Sequence, residues 1–175
     1  DLACVADARA RDDSIERAVR SSDPELRAAA MRGLARMHDP SEESIALLSA
    51  GLRDPEPEVR DQASLGLGAL GTEAPERVAQ VLAGAIASEE DVPTRSAMIR
   101  DIGRLRTDAA LAVIVPELRS AEPRYRAAAC FGVAERATAG ADVSREIRAR
   151  LASRLDPSEP EEVRFACAFA LSRTT

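Results

Sequence analysis

Side chains able to do chemistry are few in kind in this sequence: one His, three Cys, and 30 carboxylates set among 24 basic residues that are all Arg. The lone His38 cannot supply the paired imidazoles of an HExxH zinc site, and Cys4, Cys130 and Cys167 lack CxxC spacing. An odd number of widely spaced Cys also argues against a disulfide framework, so Cys130 and Cys167, on apolar helical faces, are expected to be small buried core residues. His38 lies in a turn and reads as an ordinary exposed residue. The carboxylates gather in turns as helix caps and solubilising charge, which leaves no pair to single out as general acid and base. Neither GxSxG, a P-loop nor GxGxxG occurs. "GLGALG" at 66–71 follows no strand and reads as a packed helix end with Gly71 as its stop. The expectation is no catalytic residue, no metal site and no cofactor.

Composition narrows the class further. A net charge of -6, no Trp and a single Tyr, Tyr125, give little support to nucleic-acid binding by counterion release or base stacking. No stretch approaches the roughly 20 apolar residues of a membrane span. A cytoplasmic location is expected, with an upstream export signal left open because the sequence begins at Asp1 and not at Met. Abundant Ala, Leu, Arg and Glu favour helix, and the 2% aromatic content disfavours sheet, so the fold class is all-α.

The elements that carry the charges repeat. Anchored on an Arg, related phrases occur as "DPELRAAAMRGLARM" (Arg27), "DPEPEVRDQASLGLGAL" (Arg60), "DVPTRSAMIRDIGRL" (Arg95), "EPRYRAAACFGVAERA" (Arg126) and "EPEEVRFACAFALSR" (Arg164), with anchors 33, 35, 31 and 38 residues apart. Such a period signals a stacked solenoid. Each phrase has the grammar of a helix start: a capping residue, Pro in the first turn where its missing N–H costs nothing, and acidic residues at the positive end of the dipole. Between phrases lies a second amphipathic segment, for example Ile45, Leu48 and Leu52, or Val78, Leu82 and Ile86. The unit is helix, turn, helix. A small residue six places after the anchor, Gly33, Gly66, Gly132 or Ala170, predicts close approach between neighbouring helices; Asp101 departs from that column. Pro116, inside a second helix, predicts a kink or short break.

The phrase resembles the HEAT-repeat superfamily, in its short, roughly 30-residue form of the phycobilisome-lyase type, with the signature D-P-x-x-x-V-R-x-x-A-x-x-A-L-G. Residues 54–71 match nearly throughout, the Arg27, Arg126 and Arg164 copies match well, and the Arg95 copy less so. The resemblance covers about residues 13–173 and implies an α-solenoid of antiparallel helix pairs with about five repeats. It further implies that Arg27, Arg60, Arg95, Arg126 and Arg164 form a structural ladder between repeats, with Asp23, Asp54 and Asp91 as acidic partners. One domain spans 1–175: a partial repeat at 1–21, repeats at about 23–53, 54–88, 91–120 and 122–156, and a terminal first helix at 160–173. Its unpaired ends leave two readings open, a segment of a longer chain or terminal helices covered by another domain or subunit; the first is favoured.

By the same resemblance the second helices line a groove. Opposite their core stripe stand Arg17, Ala50, Gly84, Pro116 and Ser153, and beside these Arg20, Arg53 and Arg119, with Asp156 breaking the column. Arg17, Arg20, Arg53 and Arg119 are the candidate partner-binding residues, suited to carboxylates on a protein or peptide. Favourable placement of cations at helix C-termini explains the column equally well and more simply. The expected function is a non-enzymatic protein-protein interaction scaffold. The alternatives are a bilin lyase or lyase-like chaperone, implied by the repeat type, and more remotely a HEAT-like nucleic-acid enzyme.

Overall fold

The computed structural model describes residues 14–37, 40–71 and 74–174. Cys4, His38 and residues 1–9 of the sequence reading lie outside them. Among the described residues all regular structure is helical.

The first helices of the repeats are α1 (Pro24–Met37), α3 (Pro57–Leu70), α5 (Val92–Asp101), α7 (Pro123–Thr138) and α9 (Glu161–Arg173). Pro opens α1, α3 and α7, stands second in α5 and is the cap residue of α9, positions where the missing N–H removes no helical hydrogen bond. Between them run α2 (Glu42–Gly51), α4 (Pro75–Ser88), α6 (Asp108–Glu117) and α8 (Arg145–Ser153). Ser41, Thr107 and Ser144 cap three of these by accepting the N–H of Ser44, Ala110 and Ile147, each cap worth about 1 kcal/mol. Where a kink or short break is expected at Pro116, α6 runs one residue past the proline and ends at Glu117.

The first helices stack in order, α1 on α3, α3 on α5, α5 on α7 and α7 on α9, and the second helices pack against them as another layer. Leu48, Leu67, Leu82, Met98, Ile114 and Leu151 are fully buried between the layers in one continuous core. The third repeat departs from the others. Here α5 gives way to a 3-10 turn, Ile102–Leu105, and Arg106 then adopts a left-handed φ of 57°. Its guanidinium donates to the Ala139 carbonyl of the next repeat at 2.9 Å.

The small-residue column is only partly a packing column. A Cβ on Gly66 would lie 2.7 Å from Leu48 Cδ2, and one on Gly132 would lie 2.9 Å from the Ile99 carbonyl oxygen. Among the described residues nothing stands within 4 Å of a Cβ on Gly33, and the preceding helix it would face lies outside them. The tightest contact is one the column omits, where a Cβ on Gly103 would meet the Gly132 backbone. Gly71 ends α3 in right-handed geometry at φ -68° and is held small by Leu105 and Val78, so it is a packing residue more than a left-handed stop.

The expectation against a disulfide is corrected. Cys130 on α7 and Cys167 on α9 are buried as anticipated, and they are joined, with Cα atoms 4.9 Å apart. They stand four and three places after their anchors, on the facing sides of successive first helices, a pairing that local CxxC spacing does not test.

Candidate functional site

Three of the five anchor Arg, Arg27, Arg60 and Arg126, reach both backwards and forwards. Nη1 of Arg27, Arg60 and Arg126 donates to the carbonyls five and six residues upstream: Ser22 and Ser21, Pro55 and Asp54, Ala121 and Ser120. Nε and Nη2 then point to a carboxylate at the start of the following repeat. Arg27 binds Asp54 at 2.7 and 2.8 Å, Arg60 binds Glu89 at 2.6 and 2.8 Å, and Arg126 binds Glu159 at 3.0 and 2.8 Å. The hydrogen bonds from Arg27 hold Asp54 below the usual carboxylate range. Burial works to raise Glu89 and Glu159, but their guanidinium partners bring both lower.

The acidic partners implied at Asp23 and Asp91 are therefore not those observed. Asp91 caps α5 through the N–H and hydroxyl of Thr94, while Glu89 takes the guanidinium. Asp23 accepts the N–H of Glu25. In the fourth repeat the acceptor position six before the anchor is Ser120, so Arg95 turns to Glu117 at 3.0 Å and lies over the Tyr125 ring at 4.8 Å.

On the second-helix layer Arg17, Ala50, Gly84, Pro116 and Ser153 are all exposed. Ser49, Leu52 and Arg53, from α2 and its end, and Gln80, Gly84 and Ser88 of α4 line a recess of about 420 Å³. Gly84 contributes to its size, since nothing stands within 4 Å of a Cβ there. Arg53 and Arg119 are exposed and make no ion pair among the described residues, whereas Arg20 pairs with Glu16 at 3.3 Å and Arg17 donates to Ser14. The Arg column is not continuous. Seven residues before the anchors stand Arg20, Arg53, Ser88 and Arg119, and Ser88 lines the same recess as Arg53.

A second polar site, not anticipated, lies between α3 and α5. Asp101 is fully buried, accepts from Ser64 Oγ at 3.3 Å and pairs with Arg100 Nε at 3.1 Å. Burial raises its pKa against the opposing pull of Arg100, and burial together with the Asp101 charge raises that of Asp61. The signal was Asp101 itself, the one charged residue in a column of Gly and Ala. Among the described residues no group of His, Cys, Asp and Glu is arranged to hold a metal, and no helix is long and apolar enough to cross a membrane.

A family model described as HEAT repeats matches residues 12–103, more than half of the chain. No curated protein matches. Among solved structures, the chain is similar to the complex of CpcE and CpcF of phycocyanin lyase from Nostoc sp. PCC7120, with a TM-score of 0.71 and 21% identity over 90% of this chain and 98% of that one. At that identity the likeness establishes an all-helical solenoid fold.

Proposed function

The chain belongs to the HEAT-repeat family, and on that premise we propose that it is a protein-binding scaffold that seats a protein or peptide segment on its second-helix layer. One observation carries this reading: the recess between α2 and α4, open at Gly84 and edged by Arg53, which makes no ion pair among the described residues. A guanidinium at the mouth of a small-residue recess suits an extended segment that brings a carboxylate, because Arg offers two parallel donors to it. Repeat solenoids present such surfaces without needing any reacting group.

The test compares the intact chain with an Arg20→Glu, Arg53→Glu, Arg119→Glu variant as baits in an extract of the source organism, with circular dichroism to confirm that both are folded. The reading expects one protein retained by the intact chain and lost by the variant. Equal retention by both would remove the Arg column from the site and leave it to helix-dipole placement.

A second reading, a bilin lyase or lyase-like chaperone, is favoured by the likeness to a complex of phycocyanin lyase subunits. Against it, the recess is lined without an aromatic side chain. A visible absorption band that co-elutes with the chain after incubation with a bilin would support the lyase reading over the scaffold.

A further inference from the structure

The Arg ladder has a gap inside the stack, between the third and fourth repeats. Arg27, Arg60 and Arg126 each give Nε to a carboxylate at the start of the following repeat, whereas Arg95 Nε is buried with no acceptor. A buried donor left open is costly. The guanidinium lies over the Tyr125 ring and its Nη2 donates to Glu117 at the end of α6, and neither contact supplies Nε with an acceptor.

The residue in the acceptor's place is Ser120, half-buried in the turn between α6 and α7. It already holds the turn as the acidic residues hold theirs. The carbonyls of Asp54 and Ser120, each six residues before an anchor, accept Nη1 of Arg60 and Arg126. The side chains of Asp54, Glu89 and Ser120 each accept the N–H two residues on, those of Glu56, Asp91 and Glu122. Only the negative charge is missing. A phosphoserine carries about -1.5 to -2 charges and three strong acceptor oxygens. Counted in bonds from Cα, its terminal oxygens stand as far out as those of a Glu, and Glu89 spans this same position to Arg60 with both oxygens. Arg119, next in sequence, is exposed and makes no ion pair among the described residues, so it adds positive charge against that of Glu117 and Glu122.

We propose that Ser120 is a phosphorylation site whose phosphate takes the open Nε of Arg95 and so completes the rung between the third and fourth repeats. A protein kinase supplies the group from a nucleoside triphosphate. Ser120 Oγ bonds to the γ-phosphorus as the bond from that phosphorus to the β,γ-bridging oxygen breaks; the nucleoside diphosphate leaves, and the hydroxyl proton passes to the kinase's base. The phosphate then ties α5 to the next repeat as Glu89 ties α3, which makes the stiffness of one joint of the stack depend on modification. This site is independent of what the second-helix recess binds.

The test installs phosphoserine at position 120 of the full chain during its synthesis. The melting temperature is expected to rise by about 3 °C or more over the unmodified chain. Phosphorus NMR is expected to place the second ionisation of the phosphate below its ordinary value of about 6, and Arg95→Gln to return it there. Treatment with a phosphatase should cancel the rise in melting temperature, a comparison that does not depend on the Arg95 variant folding. An unchanged or lowered melting temperature, or a phosphate that titrates at its ordinary value, overturns the proposal. An equal rise when the unmodified chain is given millimolar inorganic phosphate assigns the gap to free anions and overturns it too. Mass spectrometry of the chain isolated from the source organism is expected to find phosphate on Ser120, and its absence from both growing and starved cells overturns the assignment.

Discussion

Arg60 on α3 and Glu89 at the end of α4 are 29 residues apart in sequence and joined by two hydrogen bonds, Nε to Oε2 at 2.6 Å and Nη2 to Oε1 at 2.8 Å. Nη1 of the same guanidinium holds the carbonyls of Asp54 and Pro55. One side chain thus ties the start of its own repeat to the start of the next, and the side chains of the pair are 15% and 5% exposed.

Arg60→Ala is expected to destabilise the chain by at least about 2 kcal/mol, because it leaves the Glu89 carboxylate buried and unpaired. Arg77→Ala is the control, since the Arg77–Glu42 pair is exposed and its loss is expected to change stability by less than about 1 kcal/mol. Urea unfolding of both variants measures the difference. Equal effects would mean that the buried anchor contributes no more to stability than an exposed ion pair.

Glycine substitutions separate packing from accident. Among the described residues a Cβ on Gly33 in α1 meets nothing within 4 Å, and Gly33→Ala is expected to stabilise by up to about 1 kcal/mol through helix propensity. Gly103→Ala drives a methyl into the Gly132 backbone and is expected to lower the melting temperature. Thermal unfolding of the two variants should therefore shift in opposite directions.

The pH dependence has two parts of opposite sign. Asp54, Glu89 and Glu159 have lowered native pKa values, so their contribution is present above the unfolded values, about 3.9 for Asp and 4.3 for Glu, and is lost as pH falls through the native ones. Asp61 and Asp101 have raised native pKa values, so ionising them opposes folding, and that penalty is relieved as pH falls through those values. Melting temperature is expected to rise on mild acidification from neutral pH and to fall below about pH 4. Asp101→Asn should flatten the rise while keeping the acid limb, which a melting series across pH measures.

The helix starts were legible because their signals are local: Pro, a capping residue and the anchor Arg lie within one turn of each other. Long-range partners were less so. Glu89 rather than Asp91 accepts Arg60 because the acceptor lies five or six residues before the next anchor, six for Asp54 and Glu89 and five for Glu159. That column was present in the sequence, but Asp91, the helix cap two residues before Pro93, carries the stronger local signal. The Cys130–Cys167 link has the same origin, since neither position means anything until successive first helices face each other. For the recess, the sequence supplies Gly84 and Arg53 but not Ser88, whose place in the Arg column is visible only when all repeats are aligned on their anchors.

The most direct test of the scaffold reading places a photoreactive benzoylphenylalanine at Gly84, where there is room for it at the recess, and a second at Leu26, exposed on α1 of the other layer. After irradiation in an extract of the source organism, the account predicts that position 84 is joined to one polypeptide through an acidic segment and that position 26 is not. A tetrapyrrole adduct at 84, or the same products at both positions, would contradict it.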